Sequence, residues 1–100
     1  MALQIIWTDI AEEHLNEILY YWISRNRSTA YAIKLNELLE KAIQILSRYP
    51  NSGRKTNHKN LRVKIVRDYF VYYHYDEEYL YVTAICDMRR EPESITELLE

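Results

Sequence analysis

One glycine and two prolines punctuate this chain of 100 residues, and a single cysteine is present. A lone cysteine closes no internal disulfide. Cys86 lies at the end of the apolar run YLYVTAIC, so it reads as a small buried thiol in a protein of a reducing compartment, the cytoplasm. No apolar run approaches the roughly 20 residues that a membrane span requires. The N-terminus MALQIIWTD lacks the basic start and long apolar stretch of a signal peptide, so export is not expected. There is no glycine-rich phosphate loop, no nucleophile elbow and no close carboxylate pair set in an apolar run. His14 and His58 bear no metal-site spacing to each other or to Cys86. Neither a metal nor a cofactor is expected, and an enzyme built on this chain would work without a strong nucleophile.

What is present suits one domain over residues 1–100, since 48% of the side chains are hydrophobic and repeats and linkers are missing. Pro50 and Gly53 fall together in YPNSGRKTNHKN, a long loop between a helical half and a strand half. Before it, Leu3, Ile5 and Trp7 alternate as in a short strand. Asp9 and Glu12 have capping-box spacing, and Ala11, Leu15, Ile18 and Trp22 form an apolar stripe on a first helix running to about Ser24. Ser28 is the expected cap of a second helix, with Ala32, Leu35, Leu39, Ala42 and Leu46 as its stripe and Pro50 as its stop. The short RNRS link makes the pair an antiparallel hairpin.

Three strands follow, Leu61 to Val66, Tyr69 to Tyr75 and Tyr79 to Cys86, with Asp76-Glu77-Glu78 as a turn. The expected class is α+β, in the order β-α-α-β-β-β, with the helical hairpin covering one face of a small antiparallel sheet. Leu61, Val63 and Ile65 are read as the core side of the first of these strands, which leaves Arg62 and Lys64 outside. A two-residue Arg67-Asp68 turn then puts Phe70, Tyr72 and His74 in the core. A three-residue turn from Val66 puts Tyr69, Val71 and Tyr73 there instead, because a slip of one residue exchanges faces. The second register is preferred, since it buries Val71 and leaves His74 outside.

The net charge of −2 conceals a basic middle. Residues 51–75 hold six basic groups and one acidic, whereas residues 76–100 hold two and eight. In the preferred register Arg62, Lys64, Phe70, Tyr72 and His74 share the uncovered face. Cations interleaved with rings grip single-stranded nucleic acid by phosphate pairing and base stacking. The plainer alternative is a solvated basic strand. Arg89 and Arg90 would stand at the rim of that face, where a planar guanidinium can bind an anionic surface bidentately, or would simply pair with Asp87, Glu91 or Glu93. His74 reads more readily as an exposed strand residue than as a general base. Were the chain to cleave RNA, the substrate's own 2′-hydroxyl could attack its phosphate, given side chains that orient it and stabilise charge.

The ordered segments IIWTDIAEEHLNEILYYW, LSRYPNSGRK, LRVKIVRDYFVYYHYDEE and AICDMRREPE resemble the RelE/ParE superfamily of bacterial toxins, over nearly the whole chain. The resemblance implies the toxin of a type II toxin–antitoxin, or plasmid stabilisation, module, neutralised by a cognate antitoxin. RelE-like members cleave mRNA on the ribosome, whereas ParE-like members inhibit DNA gyrase. For the nuclease branch the resemblance implies catalytic roles for Arg62, Lys64, Arg67 and Arg90 (or Arg89). Asp68-Tyr69-Phe70 stands where that branch often has Gly-Tyr-Arg, and EPESITELLE lacks its tyrosine. The ending CDMRREP is closer to the ParE-like members. Binding residues for a target or antitoxin are then Arg89, Arg90, Arg62, Lys64, Phe70, Tyr72 and His74. A third reading is an inactive member that serves as a protein-binding module.

Overall fold

A computed structural model of the chain describes residues 2–89. The element order is β1 (Gln4–Trp7), α1 (Asp9–Asn26), α2 (Ala30–Arg48), a 3₁₀ turn (Pro50–Ser52), β2 (Arg54–Lys55), β3 (Arg62–Val66), β4 (Tyr69–Tyr75) and β5 (Tyr79–Asp87). Five strands form one sheet in the order β1-β5-β4-β3-β2, with the helices on one face. The α+β class and the order of the main elements are those expected. The sheet is mixed, because β1 pairs parallel to β5, and the loop contributes the short strand β2.

Local chemistry explains the helix ends. The Thr8 side chain, one residue before the expected Asp9, accepts the Ala11 N–H at 3.1 Å and caps α1. Asp9 and Glu12 in the first turn complement the helix dipole. α1 continues to Asn26 and closes on Arg27 in the left-handed region, at φ 51. Thr29 precedes α2, and the Ser28 hydroxyl accepts the Ala30 N–H at 3.2 Å. The α2 stripe is buried as expected, except that Ile43 rather than Ala42 fills the fourth place.

The core lies between the hairpin and one face of the sheet, where Leu35, Leu39, Leu46, Val71, Tyr73, Leu80 and Val82 are fully buried. Leu3, Ile5, Trp7, Leu15, Ile18 and Trp22 pack around them. At roughly 25 cal/mol per Å² of apolar surface removed from water, this burial is the main term that holds the fold.

Each of the two expected registers of the β3–β4 hairpin holds in part, the turn of the first and the β4 core face of the preferred second. Val66 pairs with Tyr69, so the turn is the two-residue Arg67-Asp68, yet the core residues of β4 are Tyr69, Val71 and Tyr73. The two facts coexist because β3 faces the other way from its expected orientation. Arg62, Lys64 and Val66 lie on the helix side, and Val63 and Ile65 lie on the open side, across from Tyr72 and Phe70. β3 is one strand in from the β2 edge, so long basic side chains can lie along the helix side and reach the loop backbone or water at that edge. Segment 56–61 meanwhile meets the open side, where Leu61 shares a cleft with His74 and Thr83.

β5 contains a bulge. Tyr72 pairs with Ala84 and Tyr73 with Val82, which leaves Thr83 unpaired, its hydroxyl donating to the Tyr72 carbonyl at 3.0 Å. Beyond the bulge Ile85 returns to the core, while Ala84 and Cys86 back Tyr72 on the open side.

Candidate functional site

The helix side and the open side of the sheet carry different chemistry. On the helix side, Arg62 donates from Nη1 to the carbonyls of Asn51 (3.2 Å) and Gly53 (2.8 Å). Its guanidinium is therefore engaged with the loop that follows α2. Lys64 stands opposite Val71 on that side, and Arg67 is exposed at the hairpin turn with φ 57. The expected gathering of Arg62 and Lys64 with Phe70, Tyr72 and His74 does not form, because the two sets occupy opposite faces. The three rings do share the open side as expected. Arg90 lies outside the described residues.

Arg89 closes β5 at the far end. Its Nη2 and Nε donate to the two carboxylate oxygens of Asp87 at 2.7 and 3.0 Å, and its backbone N–H adds a bond at 2.9 Å. The paired geometry raises the guanidinium's pKa, chiefly through those hydrogen bonds. The side chain is nevertheless 76% exposed, so it remains within reach of a partner. The pairing with Asp87, one of the expected alternatives, thus fixes the arginine's position rather than hiding it.

Arg89 and Asp87 line a cleft of about 310 Å³ with His14, Glu17, Ile18 and Tyr21 of α1 and with Tyr69 and Ile85 of the sheet. The Tyr69 hydroxyl accepts the Trp22 indole N–H at 2.8 Å. Burial raises the phenol's pKa, and the Trp22 bond opposes that rise. His14 accepts the Ile85 N–H on Nδ1 at 3.2 Å, which anchors α1 to β5. Of this cleft the sequence pattern singles out only Arg89, alongside Asp87 as a candidate ion-pair partner. The positions 14, 17, 18 and 21 follow the i, i+3, i+4, i+7 rule of one helix face, which would have grouped the α1 wall but not shown what it faces.

On the open side His74 stacks on Tyr81, with centroids 4.7 Å apart and planes at 19°. Burial lowers the His74 pKa, with a smaller opposing pull from Asp76. Asp76 itself is lowered by the N–H groups of Tyr79 and Glu78, each donating to Oδ1 at 2.8 Å. The stack on Tyr81 fixes the ring in place for contact. Among the described residues, no cluster of three His, Cys, Asp or Glu side chains has the makings of a metal site.

The model of the ParE toxin of type II toxin–antitoxin systems, parDE, matches residues 5–92. The chain belongs to the ParE toxin family. As a ParE toxin it is the toxin component of a type II module, and an antitoxin is its partner. A solved structure described as the chromosomal ParDE toxin–antitoxin system from P. aeruginosa superposes with a TM-score of 0.76. It covers 86% of this chain and 96% of that one at 14% identity, a likeness of fold. No curated protein matches the chain. Among the described residues no helix is long and apolar enough to cross a membrane.

Proposed function

We propose that this ParE-family chain arrests growth by binding DNA gyrase in the cytoplasm, and that Arg89 with its surrounding cleft is the principal described contact. One observation carries the choice of binding over cleavage: the guanidinium of Arg62, a strand cation that the nuclease reading needs, is committed to the loop after α2, to the carbonyls of Asn51 and Gly53. Cleavage of a phosphodiester needs charge stabilisation and proton transfer converging on one phosphate. Here Arg62 is engaged by backbone carbonyls, and Arg67 is out at the turn. A binding toxin needs only a shaped and charged surface, and the exposed, carboxylate-oriented Arg89 beside Tyr21 and Tyr69 supplies one.

The same arginine suits an acidic antitoxin segment, so target and antitoxin would compete for it. The test is supercoiling of relaxed plasmid by purified gyrase in the presence of the purified chain. Inhibition that is relieved by Arg89→Ala supports the proposal, and full supercoiling at a large excess of folded chain refutes it.

A further inference from the structure

The open side of the sheet plays no part in the gyrase proposal, and its residues form a second ordered surface. Two cross-strand rows run from a basic edge to aromatic rings. One row is Arg54, Val63, Tyr72 and Ala84, paired in sequence across β2, β3, β4 and β5. The other begins at His58 and Lys59 and passes Leu61 to His74, which pairs with Tyr81. His58, Lys59, Asn60, Leu61, His74 and Thr83 line a cleft of about 390 Å³ at that edge.

The basic edge has a defined shape. The Thr56 hydroxyl accepts the His58 N–H at 3.1 Å and donates to the Leu61 carbonyl at 3.0 Å, which folds segment 56–61 into a closed turn. Asn60 takes the left-handed conformation, φ 65, that closes it. Residues 51–67 contain six basic and no acidic groups; the acidic Asp76-Glu77-Glu78 turn follows Tyr75 at the His74 end of β4, where Asp76 Oδ2 accepts the Tyr81 hydroxyl at 3.5 Å. The rings of Phe70, Tyr72 and His74 recur every second residue along β4, with the Phe70 and Tyr72 centroids 6.1 Å apart.

We infer that this open face is a binding site for single-stranded nucleic acid, with Arg54, His58 and Lys59 holding phosphates and Tyr72, His74 and Tyr81 stacking bases. Charge selects a polyanion, and flat rings on an accessible sheet select unpaired bases over a duplex, whose bases are already stacked. An acidic protein segment would use the cations but would leave the row of rings without flat partners. Strand binding is sequence-tolerant, because every base offers a flat face to stack. The site would let the toxin hold a strand without cutting it, and it stands independently of gyrase binding.

The test is fluorescence anisotropy of a labelled oligonucleotide of about 12 nucleotides, offered to the full chain as RNA, as DNA and as duplex. Tighter binding to either single-stranded form than to the duplex supports the site, and the preferred form identifies the sugar. Arg54→Gln with Lys59→Gln should weaken binding at least about tenfold at low salt and reduce the slope of log K against log salt by roughly 0.7 for each phosphate that is no longer neutralised. Tyr81→Ala should weaken it roughly five- to hundredfold, while Tyr81→Phe, which keeps the ring, should not. Both glutamine changes are at exposed positions and should leave the circular-dichroism spectrum unchanged. No binding at low salt, tighter binding to duplex, or affinity unmoved by the double variant would overturn the inference. So would sedimentation as a dimer that excludes the oligonucleotide, which would make the face a contact between copies. Cleavage of the bound strand would instead refute the non-nuclease reading proposed for Arg89 and its cleft, and leave this site standing.

Discussion

Arg62 and Tyr73 stand directly across from each other on β3 and β4, and both side chains reach the same loop backbone. Arg62 donates to the Gly53 and Asn51 carbonyls, while the Tyr73 hydroxyl donates to the Pro50 carbonyl at 2.6 Å and accepts the Gly53 N–H at 3.0 Å. A residue assigned to catalysis by resemblance is therefore part of a clamp on the loop after α2. Arg62→Ala should cost about 1 kcal/mol of stability, read by urea denaturation, and any loss of toxicity should scale with the folded fraction.

The clamp depends on Gly53 having no side chain. A Cβ there would fall on the Tyr73 hydroxyl and within 2.8 Å of its Cε1. Gly53→Ala should destabilise by about 1–3 kcal/mol through overpacking. Tyr73→Phe should cost about 1–3 kcal/mol by stranding the buried Gly53 N–H. In a double-mutant cycle the two changes should be partly non-additive, since phenylalanine removes the hydroxyl that the alanine Cβ meets but keeps the ring carbon beside it.

Two arginines occupy left-handed backbone, Arg27 after α1 and Arg67 in the β3–β4 turn. Glycine bears that conformation without Cβ crowding. Arg27→Gly and Arg67→Gly should each raise stability by about 0.5–1 kcal/mol, measured as a shift in denaturation midpoint. Arg67→Gly should also leave growth arrest intact, whereas a nuclease that used Arg67 would be disarmed.

The lowered His74 pKa sets a sign for pH dependence. The folded ring resists protonation, so between the ordinary imidazole value of 6.5 and its lower folded value the unfolded chain binds more protons. The His74 contribution to stability is then complete above about pH 6.5 and is lost as pH falls through the folded value. Denaturation at about pH 7.5 and 5.5 should show a smaller acid loss for His74→Phe than for the wild-type chain. An equal loss in both would show that His74 does not carry it.

The two helices, their apolar stripes and the strands other than β2 were legible because period 3.6 and period 2 are written directly in the apolar positions. The choice of face on β3 was not. LRVKIV alternates cleanly, but alternation says only that two faces differ, and it was natural to send the apolar set to the helices. The loop 56–61 takes the Leu61 side instead, and no local pattern announces that. Parallel pairing of β1 with β5 joins residues some 75 positions apart, beyond any local signal. Arg89 was legible as an arginine at the end of the last strand, but it lies in a cleft against α1 and not at the rim of the open face, and that placement, like the Tyr69–Trp22 bond and the His14 anchor, depends on how α1 crosses the sheet.

The decisive measurement is induced expression of the chain and of its Arg89→Ala variant without antitoxin, with growth, plasmid supercoiling and transcript ends followed in the same cultures. The binding mechanism predicts arrest with relaxed plasmid and intact transcripts, relieved in the variant and by co-expressed antitoxin. Transcripts cut within translated codons, or growth that continues unchanged with folded chain accumulating, would contradict it.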